Sequence, residues 1–89
     1  MKAIVSVFAQ DRKGITAYIT AVLAENGINI LDISQTLMQE FFTMIMLVDL
    51  SDCPLDFGAL QKLLKERGAE RGLSVNIQRQ DLFDAMHKV

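Results

Sequence analysis

The stretch FAQDRKGITAYITAVLAENGINILDIS, residues 8–34, decides the fold. An apolar strand runs into the charged loop Asp11, Arg12, Lys13; Gly14 opens a helix, Gly27 closes it, and a second strand begins at Asn29. From about residue 12 to 26, Ile15, Ile19, Val22 and Leu23 recur at i, i+4, i+7 and i+8, the period of one helical face. Asp11 is available as its N-cap, and Gly27 can supply left-handed backbone at its end. One βαβ unit is therefore readable directly.

Working outward, residues 2–9 form a strand with Ala3, Val5 and Val7 on one face and Ile4 and Phe8 on the other. Apolar residues on both faces mark a central strand. Residues 29–39 are rich in β-formers, but their alternation falters at Asp32: Ile30 falls on one face and Leu31, Ile33 and Leu37 on the other, as in a bulged edge strand. Residues 41–50 are a nearly continuous apolar run and read as a second central strand. A second helix follows, with Ser51 or Asp52 as cap, Pro54 in the first turn, a stripe of Phe57, Leu60 and Leu64, and Gly68 and Gly72 as stops. Residues 73–80 alternate cleanly, with Leu73, Val75 and Ile77 against Ser74, Asn76 and Gln78, as expected of an edge strand. Asp81 then caps a short terminal helix whose stripe is Leu82, Phe83 and Met86; Phe83 and Met86 are expected to dock it on the body or on a neighbouring subunit.

The order is βαββαβ with a helical tail, an α+β, ferredoxin-like arrangement. Right-handed crossovers place both helices on one face of an antiparallel sheet ordered 2-3-1-4. That order puts the two doubly apolar strands in the centre. The chain reads as a single domain over 1–89, with a core of 1–80 and a tail of 81–89, and has no internal repeat or linker.

Helices on one face leave an apolar face uncovered. In an 89-residue chain that is 51% hydrophobic and 22% charged, folding hides only about 60–65% of the unfolded surface. A homodimer or higher homo-oligomer is expected, with the tail helix or a second subunit over the open face. The net charge of −2 and the lack of clustered Lys and Arg argue against direct nucleic-acid binding. The single cysteine, Cys53, excludes an intrachain disulfide. No apolar run reaches the roughly 18 residues of a membrane span, and the first residues do not resemble a signal peptide, so a cytoplasmic location is expected.

The loop Asp11–Ile15 and the segment Gly27–Asn29 are the candidate ligand site. Helix and turn formation alone account for these residue types. The functional alternative is a crevice at a helix N-terminus, where free amides suit a carboxylate and the Asn29 amide can bond a ligand's amino or carboxylate group. DRKGITAYITAVLAENGINILDISQ resembles the signature of the ACT domain, whose fold is βαββαβ. With ILDISQ, the helix after CPLDF and the ending DLFDAMHKV, the whole chain resembles the stand-alone ACT domain proteins of the UPF0237 family. That group is similar to the ACT domains of the glycine cleavage system transcriptional repressor. The resemblance implies a regulatory module that binds an amino acid or other small ligand between paired domains. Asp11, Arg12, Lys13 and Gly14 match the ligand loop, Ile15 the helix start, and Gly27, Ile28 and Asn29 the segment that faces it. Many ACT domains carry proline immediately before the loop glycine. Lys13 stands there instead, adding a cation that favours an acidic ligand.

Catalysis has no positive signal. Asp11, Asp32, Glu40 and Asp49 lie on different elements, and Cys53 is not near a histidine in sequence. His87 and Asp84 stand at i, i+3, but two ligands do not close a metal site, and a histidine at a helix end also suits the helix dipole. No cofactor is expected. Met38, Met44, Met46, Phe41 and Phe42 read as core or subunit interface. The alternative to a ligand sensor acting through a protein partner is a constitutive assembly or interaction module without a physiological small ligand.

Overall fold

A computed structural model describes residues 1–81, ordered as β1 (Lys2–Gln10), α1 (Ile15–Glu25), β2 (Asn29–Met38), β3 (Phe41–Asp49), α2 (Phe57–Ala69) and β4 (Ser74–Arg79). The expected terminal helix lies outside the described residues beyond Asp81. The strands form one antiparallel sheet in the order β2-β3-β1-β4, as the crossover argument requires. Ala3, Val5 and Val7 of β1 and Met44, Met46 and Val48 of β3 are buried under the helices. Ile15, Ile19, Val22 and Leu23 of α1 and Leu60 and Leu64 of α2 close the core from above. Phe57, expected in that stripe, is only partly buried.

Several local expectations are corrected. Asp11 does not cap α1: Gly14 is the N-cap, at φ 89°, without a side-chain hydrogen bond. The Asp11 amide instead donates to Glu40 O at 2.6 Å, tying the loop to the β2–β3 turn. The helix starts at Ile15 because the left-handed residue before it breaks any earlier turn. For α2 the cap is Asp56, which accepts from the Ala59 amide at 2.7 Å. Ser51 is already bound to Asp49 through both its amide and its hydroxyl, at 2.9 and 2.6 Å. Pro54 consequently precedes the helix.

Gly68 is the penultimate residue of α2, within its last turn and not past its end: a Cβ there would stand 2.6 Å from Val75 Cγ2 and 3.0 Å from Leu73 O. Its missing side chain is what lets the helix lie against β4. Gly27 and Gly72, at φ 71° and 70°, do end helices. In each case the amide two residues past the last turn reaches back five residues, Ile28 to Leu23 O at 3.0 Å and Leu73 to Gly68 O at 2.9 Å, which is the Schellman pattern.

The bulge expected in β2 falls between Ile30 and Asp32, but it sorts the side chains differently. Ile30, Ile33 and Leu37 stand opposite Val48, Met46 and Phe42 and so share the helix-side face, while the bulge sets Leu31 apart. An extra residue on one strand shifts the alternation by one, which carries Ile30 to the face of Ile33. Every residue of β2 except half-buried Ile30 is exposed.

Candidate functional site

The residues expected to share one crevice occupy two hollows. Arg12, Lys13, Gly14 and Ile15 line the first together with Tyr18, Arg71 and Leu73. Gly27, Ile28 and Asn29 line the second together with Ala24, Asp49, Ser51 and Asp52. Asp11 lines neither hollow and is exposed at the loop. The separation follows from topology: the two groups flank α1, whose 11 residues span about 16 Å. Strand β2 starts where the helix ends, so a crossover places the end of β1 and the start of β2 at opposite ends of the sheet.

The first hollow is cationic. Arg12, Lys13 and Arg71 surround it without a carboxylate among its lining residues. The amides of Ile15, Thr16 and Ala17 precede the first intrahelical bond, from the Tyr18 amide to Gly14 O at 2.9 Å, and thus add the positive end of the helix. Tyr18 organises its wall. The hydroxyl donates to Arg67 O at 2.8 Å and accepts from Arg67 Nε at 3.3 Å, and the Arg71 guanidinium lies 4.3 Å from the ring centroid. The bond to Tyr18 pushes the Arg67 pKa up from its ordinary value. The hollow holds only about 20 Å³, room for a single water.

The second hollow is open, about 380 Å³, and of opposite character. Asp49 accepts from Ser51 Oγ and the Ser51 amide, and these two bonds hold its carboxyl below the ordinary carboxylate value. It is therefore an anion at neutral pH. Asn29 is exposed beside it, and its amide has no hydrogen-bond partner among the described residues. A Cβ on Gly27 would stand 2.5 Å from Asp52 O, so the glycine is needed for this close approach as well as for its left-handed backbone.

A groove of about 570 Å³ runs along α1 beside β2, lined by Ala17, Thr20, Ala21, Ala24, Ile28, Asn29 and Ile30. Sequence reasoning missed Tyr18, Arg71, Asp49, Ser51 and Asp52 as lining residues. Tyr18 is one helical turn past Gly14, and Arg71 immediately precedes the turn at Gly72; once both helices lie on the same sheet face, these positions converge. Among the described residues no group of three or more His, Cys, Asp or Glu side chains is placed to hold a metal, and the His87–Asp84 pair lies outside them. No helix of the described residues is long and apolar enough to cross a membrane.

The family model of the ACT domain matches residues 2–78. The chain belongs to the ACT domain family. A UPF0237 protein of Methanocaldococcus jannaschii is 52% identical over 99% of this chain and 98% of its own length. One from Clostridium acetobutylicum is 49% identical over the full length of both. Among solved structures, an ACT domain protein from Streptococcus pneumoniae superposes with a TM-score of 0.84 at 41% identity, covering 98% of each chain. ACT domains are small-molecule-binding regulatory modules, and both hollows of this ACT domain flank the same helix, α1.

Proposed function

We propose that this ACT domain is a non-catalytic regulatory module that binds an amino acid or a related small carboxylate between two copies of the chain and acts through a partner protein. What supports this reading is the placement of two hollows, one lined by cationic side chains and one by carboxylates, at opposite ends of α1, which we read as complementary half-sites. Neither completes a site alone: the first has room for one water, and the second is an open hollow.

A two-fold axis at the free edge of β2, normal to the sheet, sets α1 antiparallel to its counterpart. Each cationic end then meets the anionic end of the other copy. The exposed Ala17, Ala21 and Ala24, at i, i+4 and i+7, allow the two helices a close approach. Pairing of the ten-residue β2 about its midpoint brings Asn29 opposite the partner's Met38, at the sheet end where Asp11 bonds to Glu40. A zwitterion fits the composite: its carboxylate meets Arg12, Lys13 and the α1 amides, and its ammonium meets the partner's Asp49 and Asn29.

A thermal-shift screen of amino acids and small dicarboxylates tests this. A ligand at 100 times its Kd stabilises the folded state by about 2.7 kcal/mol. Analogues lacking either the ammonium or the carboxylate should give smaller shifts. Absence of any shift across the screen favours the alternative, an assembly module without a small ligand.

A further inference from the structure

We infer that the free edge of β4, under the flank of α2, is a docking groove for an acidic, extended segment of a partner protein, which adds to the sheet as a fifth strand. Gly58, Gln61, Lys62 and Lys65 recur at i, i+3, i+4 and i+7 on α2 and face Val75 and Ile77 of β4 across a groove of about 420 Å³. The ladder fixes which backbone groups of β4 turn outward. The Asp11 amide bonds to Glu40 O and the Leu50 amide to Met1 O, so odd-numbered residues of β1 exchange hydrogen bonds with β3 and even-numbered ones with β4. Ser6 stands opposite Asn76 and Phe8 opposite Ser74, which leaves Val75, Ile77 and Arg79 with their N–H and C=O groups on the free side. Gln61 Nε2 accordingly donates to Ile77 O at 3.3 Å from that side. Val75 and Ile77 are each only 3% exposed, yet their outward N–H groups meet no acceptor among the described residues. Buried backbone donors are nearly always paired, and a strand lying in the groove supplies carbonyls for both.

Charge selects the occupant. Lys62 and Lys65 line the groove, and no carboxylate does. Lys62 has Glu66 at 4.0 Å in an exposed i, i+4 pair, which is worth little. A second copy at this edge would bring its own lysines against these: a two-fold axis normal to the sheet lays the two α2 helices antiparallel along one seam and sets four cations together. Like charges so placed turn away a second copy or a basic segment. An acidic strand meets the opposite condition. Its successive side chains point to opposite faces, so carboxylates at every second position lie on the α2 side, within reach of both lysine stems. Main-chain bonds to the edge then give affinity, and the alternating carboxylates give selectivity. The overhanging Gln61, Lys62 and Lys65 are exposed and unbranched, so they can swing aside for it. The groove shares no lining residue with either hollow at α1; it gives the regulatory module a surface for its partner and rests on different residues from the ligand reading.

The probe is a heptapeptide with blocked termini that alternates valine with glutamate, titrated into the full chain without any small ligand while amide hydrogen exchange is read residue by residue. In the free chain the Val75 and Ile77 amides should exchange faster than those of Asn76 and Gln78, and saturating peptide should slow both by about tenfold or more. Gln61→Ala uncovers Ile77 O and should bind the peptide about threefold more tightly. Charge reversal by Lys62→Glu with Lys65→Glu should weaken binding by about tenfold or more, and the same peptide with lysine in place of glutamate should not bind. No binding of the glutamate peptide, equal affinity in the charge-reversed chain, or slowing that falls on β2 instead overturns the inference. So does slow exchange of Val75 and Ile77 in the free chain: where it is independent of protein concentration the chain covers its own edge, and where it grows with concentration, along with the mass from light scattering, a second copy does. Because no ligand is present and the α1 hollows are unaltered, failure here leaves the ligand reading to be decided by the thermal-shift screen.

Discussion

Gly68→Ala sets two physical effects against each other with opposite signs. In a helix interior alanine is favoured over glycine by about 1 kcal/mol, and Gly68 lies within the last turn of α2 with ordinary helical backbone. Helix propensity alone therefore predicts stabilisation. The added Cβ, however, would stand 2.6 Å from Val75 Cγ2 and 3.0 Å from Leu73 O. Val75 is buried on β4, and the Leu73 carbonyl is fixed backbone, so relief requires α2 and β4 to move apart. Overpacking of this kind costs about 1–3 kcal/mol, which cancels or exceeds the propensity gain and leaves a net loss of up to about 2 kcal/mol. For a domain of this size each 1 kcal/mol moves Tm by about 4–8 °C. Gly58→Ala is the control, since its Cβ would meet only Asp56 Oδ1, at 3.7 Å, and it should gain up to about 1 kcal/mol. Scanning calorimetry of both variants decides the matter. A rise in Tm for Gly68→Ala equal to that for Gly58→Ala would refute the close packing of α2 on β4.

Other perturbations probe the half-sites. Asn29→Ala should abolish a ligand's thermal shift while leaving the unliganded Tm within about two degrees, because one exposed side chain contributes little to folding; calorimetric titration measures the affinity. Tyr18→Phe removes the bond to Arg67 O and should destabilise the fold by about 1 kcal/mol, read by urea denaturation. Asp49 has a lowered folded pKa, so its stabilising contribution is present above the ordinary carboxylate value and is lost as pH falls through the lowered one. Asp49→Asn should therefore flatten the stability profile below about pH 5 and leave its slope near neutrality unchanged. Equal acid slopes in the two chains would remove the role given to Ser51.

Strand order, helix faces and the central position of β1 and β3 were legible because each rests on a periodic apolar pattern with a single way to bury it. Ile15, Ile19, Val22 and Leu23 all reach the core as their spacing requires. Caps were less legible: Ser51 and Asp52 were the expected candidates for α2, yet Asp56 carries an equivalent carboxylate, and only the path of the chain decides which oxygen meets a free amide. The face of Ile30 was missed because a bulge moves the alternation by one residue without changing composition. The division of the candidate residues between two hollows was missed for a different reason. Residues close in sequence to a helix read as one cluster, yet its ends lie a helix length apart, and Arg71 and Asp49 reach the two hollows only through tertiary packing.

Whether the proposed ligand site is completed between two copies can be read from a mixing experiment. Gly14→Val strains the left-handed N-cap, where a Cβ has open space, and fills the cationic half-site; Asn29→Ala empties the other. Each variant alone should bind no ligand by calorimetry. Unfolded together and refolded in equal amounts, they should form mixed pairs in which one of the two sites draws both halves from unmutated segments. Random pairing then restores about one quarter of the natural site number, at natural affinity. Failure of the mixture to bind a ligand that the natural chain binds would place both half-sites in one chain and contradict the account.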